Sequence, residues 1–197
     1  MPPAKELILA SRSPRRIQLL AQIGLDVRVA PCEIPEEFDP ALSPAENAAA
    51  LALQKARCVA SAIPDGIIIG ADTIVVLDGQ MLGKPADRDD AVRMLSLLSG
   101  RTHTVATGIA LVDRPSERSV DAVELTQVTF RPLPRHEIET YVDGGSPMDK
   151  AGAYGIQDDY GAVFVTRIEG CFYNVMGLPL ARLHMLLAGF RHQLITS

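Results

Sequence analysis

IIIGADTIVVLDG, residues 67–79, is an almost unbroken β-branched run closed by an Asp-Gly pair. Such a run reads as a buried strand ending in a tight turn. Before that turn its one charged residue is Asp72. A carboxylate is costly to bury unless it is paired or metal-bound. Asp72 is therefore a candidate divalent-cation ligand or general base for water. A carboxylate hydrogen-bonded within a turn is the commoner state of such a residue.

Working outward, ELILA (6–10) reads as a short strand and SRSP leads into a helix. Ser13 is placed to cap that helix, Pro14 suits its first position, and Leu19, Leu20 and Ile23 form its apolar stripe. VRVAP (27–31) reads as a second strand, followed by the acidic loop CEIPEEFDPAL. Ser43, Pro44 and Glu46 make a capping-box helix start, with the Ala-rich helix running to about Ala62. On the far side, Asp87 to Leu98 is amphipathic and stops at Gly100. THTVATGIALVD (102–113) and SVDAVELTQVTFRPL (119–133) form a hairpin. In the latter, Val123, Leu125, Val128 and Phe130 alternate with polar residues, and the phase breaks near Thr126. PRHEIETYVDGG (134–145) reads as a short helix, SPMDKAGAYGIQ (146–157) as a Gly-rich loop, GAVFVTRIEG (161–170) as a strand and GLPLARLHMLLAGF (177–190) as a closing helix. Interleaved strands and helices with a hairpin give a mixed α/β class.

The 197 residues suit one domain of the larger kind, or two lobes sharing a core. A net charge of −5 disfavours broad nucleic-acid binding, which needs a basic footprint. Cys32, Cys58 and Cys171 lie far apart and outside any Cys-x-x-Cys pattern, so neither a disulfide nor a zinc site is expected, in keeping with a reducing cytoplasm. No apolar run reaches the roughly 18 residues of a membrane helix, and LILA is too short for a signal segment.

Beyond Asp72, the polar residues of interest sit where strands end. SRSPRR precedes a helix N-terminus, where backbone N–H groups and two arginines suit an anion; a capped helix with two solvated arginines is the plainer reading. Three lysines stand in unusual company, Lys55 in the Ala-rich helix, Lys84 in GKP and Lys150 in MDKAG, although lysines are usually solvated or snorkelling. GKP is no P-loop. In the acidic loop, Glu33, Glu36, Glu37 and Asp39 include potential metal ligands within what is ordinarily a solvated charge run. His103 starts a strand and reads as a structural histidine. No serine stands in a nucleophile elbow.

In this order, LASRSPRR (9–16), Glu36, Lys55-Ala56, GADTIVVLDG (70–79), GKP (83–85), LSGRTHTVATG (98–108), DKAGAYGIQ (149–157) and GLP (177–179) resemble the Maf family of nucleoside triphosphate pyrophosphatases, from about residue 6 to 190. The resemblance implies a bent mixed sheet with flanking helices, two lobes around a central groove, within a single Maf-like domain over 1–197. It implies hydrolysis of a nucleoside triphosphate to the monophosphate and pyrophosphate, a divalent cation such as Mg²⁺ or Mn²⁺, a homodimer and a cytoplasmic location. The family's proton acceptor falls on Asp72, with Lys55 and Lys84 in the catalytic set. Glu36 and Asp72 would hold the metal, with Glu37 a rival. Ser11, Arg16 and Lys150 would bind phosphate. Arg15, Thr73 and Gln157 match the dTTP/UTP branch at its three specificity positions. The 7-methyl-GTP branch carries a Trp in place of that Arg, and this chain has no Trp. A pyrimidine edge offers two carbonyls flanking N3–H, which Arg15 and Gln157 can meet with donors and an acceptor. The alternatives are another nucleotide specificity, or a partner-binding regulator of septum formation, the role behind the family's name.

Overall fold

The computed structural model describes residues 5–157 and 160–196. Its strands are β1 (Leu7–Leu9), β2 (Arg28–Val29), β3 (Gly66–Leu77), β4 (Gln80–Leu82), β5 (Thr102–Arg114), β6 (Ser119–Phe130) and β7 (Val165–Glu169). Its helices are α1 (Pro14–Gln22), α2 (Pro44–Ala60), α3 (Arg88–Leu98), α4 (Arg135–Asp143), α5 (Phe172–Val175) and α6 (Leu180–Thr196). The strands form one sheet in the order β2-β1-β3-β5-β6-β7, with β4 also on β3. β1 runs parallel to both β2 and β3, whereas β3/β4 and β6/β7 are antiparallel, so the sheet is mixed as expected. In β3 the β-branched run is buried along nearly its whole length, and Asp78-Gly79 turns it into β4.

The chain divides into two compact units, and β3, β5 and β6 each contribute to both. The first takes the chain up to Asp72, Thr107–Glu124 and the chain from Gly177. Its core sets Ile8, Ile68, Ala110 and Val112 against Ala52, Ala56 and Val59 of α2. The second takes Thr73–Ala106 and Leu125–Met176. There Val75, Leu82, Val105, Val128 and Phe130 pack with Leu95 and Leu98 of α3, Ile138 and Tyr141 of α4, and Tyr154 and Phe164.

The alanines of α2 have a specific use. A Cβ at Gly70 on β3 would lie 2.1 Å from the Ala52 carbonyl oxygen, and one at Gly108 on β5 would lie 2.1 Å from that of Ala48. Only glycine on the strands and small residues on the helix permit so close an approach. Ser43 caps α2 through a complete capping box with Glu46, as the sequence predicts.

Several expectations are corrected. Ser13 occupies the N-cap of α1 but makes no side-chain cap bond; its backbone N–H instead donates to Ser11 Oγ. Ile23 lies beyond the last turn of α1 and is exposed, so the buried stripe is Leu19 and Leu20. On β6 the buried set is Thr126, Val128 and Phe130, in unbroken alternation, and Leu125 faces outward. The inward place belongs to Thr126 because its hydroxyl has buried partners: it accepts from Cys171 N–H and from Asn174 Nδ2. The run 161–170 forms a strand only over Val165–Glu169, and residues 160–164 are a 3-10 turn. Finally, Cys32 and Cys58 are joined as a disulfide, with their Cα atoms 6.1 Å apart, and Cys171 is free. Sequence spacing is blind to this pair, because only folding lays the acidic loop along α2.

Candidate functional site

Asp72 is buried in β3, and its carboxylate is paired. Gly70 and Asp72 lie two residues apart, so both face α2. The glycine admits the helix, and the helix presents Lys55. Lys55 Nζ donates to Asp72 Oδ1 at 2.5 Å and to Glu36 Oε1 at 2.7 Å. The Lys55 and Asp72 side chains are only 12% and 9% exposed, and that of Glu36 is 39% exposed. The local-turn reading of Asp72 is thus replaced by a carboxylate–ammonium–carboxylate row, opening outward from Asp72 to Glu36. Lys55 is thus shared between one oxygen of each carboxylate.

The strand-to-helix turn after β1 lies beside this row. Arg16 Nε donates to the Gly177 carbonyl at 2.8 Å, and its Nη1 donates to the Ala71 carbonyl at 2.9 Å and to Ser11 Oγ at 3.2 Å. Burial pulls the Arg16 guanidinium below its ordinary pKa; the charge of Asp72 opposes this, Arg15 adds to it, and Glu36 opposes it. Arg16 therefore joins Ser11 to the backbone immediately before Asp72, besides any service to an anion. Arg15 is half-buried next to it. The structure brings Ser11, Arg15, Arg16, Glu36, Lys55 and Asp72 together in the first unit. Glu37, the rival ligand, is exposed in the same loop.

Sequence reading missed Asn47. It is 2% exposed on α2. Its Oδ1 accepts from Asp39 N–H at 2.8 Å, and its Nδ2 donates to the carbonyls of Asp39, Leu42 and Ser43 at 3.0, 3.1 and 3.2 Å. That clamp anchors the end of the loop that carries Glu36. The available signal was an amide on the buried side of an Ala-rich helix, where a polar group needs partners.

The second unit holds Thr73, Lys84, Lys150 and Gln157. Thr73 is half-buried on β3, and Lys84 is exposed just after β4. Lys150 has a side chain only 10% exposed and donates to Asp149 Oδ1 at 2.9 Å. Gln157 Oε1 accepts from Ile156 N–H at 3.2 Å. Gly152 N–H donates to the Gly83 carbonyl at 3.0 Å, so the loop with Lys150 and Gln157 is bonded to the turn with Lys84. His103, read as structural, is buried against Phe130 and Tyr154.

Among the described residues, no cluster of three or more His, Cys, Asp or Glu side chains is poised for a metal. The hard oxygen donors that the structure sets side by side are the carboxylates of Glu36 and Asp72, both on Lys55. That set suits a cation such as Mg²⁺, which is commonly held by one or two carboxylates plus substrate phosphates and water. It does not suit a closed structural zinc site. No described helix is long and apolar enough to cross a membrane.

The chain as a whole is similar to known proteins. The Maf-like protein family model matches residues 6–190. A protein of Symbiobacterium thermophilum named dTTP/UTP pyrophosphatase is 53% identical over 193 residues, which cover 98% of each chain. A protein of the same name from Pelotomaculum thermopropionicum is 48% identical, covering 97% of this chain and 100% of its own. One from Carboxydothermus hydrogenoformans is 50% identical, covering 91% and 95%. With a match of that extent, and with the buried Asp72 and its partners inside it, the chain belongs to the Maf-like protein family.

Proposed function

We propose that this protein is a nucleoside triphosphate pyrophosphatase that converts dTTP and UTP to the monophosphate and pyrophosphate. The observation that carries the reading is the buried Asp72–Lys55–Glu36 row, on a chain about half identical over nearly its full length to proteins named dTTP/UTP pyrophosphatase.

Asp72 orients the attacking water and accepts its proton. The water oxygen bonds to the α-phosphorus, the bond from that phosphorus to the oxygen bridging to the β-phosphate breaks, and pyrophosphate departs with that oxygen. Lys55 holds the Asp72 carboxylate aimed. Lys84, Lys150 and the arginines after β1 supply positive charge where it accumulates on phosphate oxygens, which stabilises the transition state more than the ground state. Glu36 and Asp72 are the residues to hold Mg²⁺ or Mn²⁺, which when bound would neutralise phosphate charge and acidify the attacking water. Arg15, Thr73 and Gln157 select the base; one C5 methyl is weakly discriminated by apolar packing, so uracil and thymine are both accepted.

The test is a panel of purine and pyrimidine nucleoside triphosphates, with and without EDTA, read by pyrophosphate release. Fast turnover of dTTP and UTP, lost in EDTA and restored by Mg²⁺ or Mn²⁺, is expected. Equal turnover of all triphosphates, or release of orthophosphate in place of pyrophosphate, would refute it.

A further inference from the structure

His103 is a buried titratable group to which the proposed chemistry assigns no role. It stands on β5 at 2% exposure, and its Nε2 shares a 2.8 Å hydrogen bond with the Tyr154 hydroxyl. Its Nδ1 is buried with no hydrogen-bond partner among the described residues. A core position built only for packing is better served by phenylalanine, which leaves no ring nitrogen unsatisfied. The cost accepted at Nδ1 therefore directs attention to what the Nε2 bond holds.

It holds the 150–157 loop. Tyr154 is buried, and its ring meets those of His103 and Phe130 edge to face at 5.4 and 4.8 Å between centroids. Two further ties act on either side of it: Gly152 N–H to the Gly83 carbonyl at 3.0 Å, and Gly155 N–H to Tyr141 Oη at 3.2 Å. Gly152 has φ +68° and lies so close to Val75 that a Cβ would come within 2.9 Å of it. Ala153 is also left-handed, at φ 60°, a conformation that costs a residue with a Cβ. Such a backbone persists only where its surroundings over-determine it. Lys150 stands at one end of this loop and Gln157 at the other.

We propose that His103 is a positioning residue for base selection: through its hydrogen bond to the Tyr154 hydroxyl it holds the 150–157 loop in one conformation and so fixes Gln157 where it reads the pyrimidine edge. This rests on the pyrophosphatase reading above. Burial lowers the His103 pKa to about 4, so the ring is neutral, and the tie unchanged, throughout the neutral range.

The test compares His103→Phe, His103→Gln and Tyr154→Phe with wild type in kcat and KM for UTP, dTTP and GTP. Tyr154→Phe removes one hydroxyl from a packed ring and keeps the fold. The expected result is a rise in KM for UTP and dTTP, and a roughly tenfold fall in the UTP-to-GTP ratio of kcat/KM, in both Phe variants. Partial recovery is expected in His103→Gln, whose amide can still meet the tyrosine hydroxyl. In a Gln157→Ala background, Tyr154→Phe should leave the ratio unmoved, because the residue through which it acts is gone. A lower melting temperature with an unchanged ratio would overturn the proposal and leave His103 a packing residue. If wild type shows no pyrimidine preference, the underlying reading fails instead. If Gln157→Ala abolishes the preference while neither Phe variant alters it, only the present inference fails.

Discussion

The ammonium of Lys55 on α2 donates to Asp72 Oδ1 on β3 at 2.5 Å, with both side chains nearly withdrawn from solvent. An ion pair so placed is not a dependable source of stability, because desolvating both charges offsets their attraction. Its value lies in holding a charged carboxylate inside a sheet, aimed at one place.

Asp72→Asn keeps the shape and the hydrogen bond but removes the base. Turnover is expected to fall by roughly 10²–10⁴-fold, the usual range for a positioned acid or base. The circular dichroism spectrum should be unchanged. Near-normal pyrophosphate release from the folded variant would rule out the role given to Asp72.

Lys55→Met leaves Asp72 buried without its partner and should cost about 3 kcal/mol or more in urea unfolding at pH 7. The double variant Lys55→Met with Asp72→Asn removes the stranded charge and should recover much of that loss. Additive losses in this cycle would mean that the two side chains are not coupled.

Gly70→Ala puts a methyl 2.1 Å from the Ala52 carbonyl oxygen. The opposing atom is helix backbone, which cannot rotate aside. A loss of roughly 3 kcal/mol is expected, at the upper end of ordinary overpacking, along with lost activity as α2 and Lys55 are displaced. Melting temperature and soluble yield are the measurements, and an unshifted melting temperature would contradict the close approach.

His103 binds its proton only near pH 4 in the folded chain, against an ordinary value of 6.5, because burial disfavours the charged ring. Between these values the unfolded chain holds more protons, so this group makes stability rise with pH. Its contribution is intact above pH 6.5 and is lost as pH falls to about 4, by up to about 3 kcal/mol. Carboxylates titrate in the same range, so the observable is a difference. The gap in unfolding free energy between wild type and His103→Gln should shift in favour of the variant as pH falls from 7 to 4. A gap independent of pH would mean that His103 is not buried as neutral imidazole.

Cys32 and Cys58 close a loop of 26 residues' separation. Thiol titration of the denatured, unreduced protein should find one thiol, Cys171, and three after reduction. Reduction should lower stability by about 3 kcal/mol on the chain-entropy account. Three thiols before reduction would show the pair to be unlinked.

Much of the fold was legible because its signals are local. The capping box at Ser43 is complete within four residues, and the Asp-Gly turn after β3 sits where its composition places it. Leu125 and Thr126 were misread for the opposite reason. Which face of β6 turns inward depends on Cys171 and Asn174, more than forty residues away, and these give a threonine hydroxyl its partners.

For the site, the sequence by itself determined the membership: the family pattern, the isolated Asp72 in an apolar run, and the acidic and basic residues around it. It could not assign their relations. Lys55 reads as one more phosphate-facing lysine until Gly70 and Gly108 let α2 close onto the sheet, and then it is the residue between Glu36 and Asp72. Asn47, the Cys32–Cys58 pair and the His103–Tyr154 bond became visible only in three dimensions. The physical reason is common to all of them. Residue type and spacing report what a side chain can do, whereas burial and partner geometry, which decide what it does, depend on contacts between distant parts of the chain.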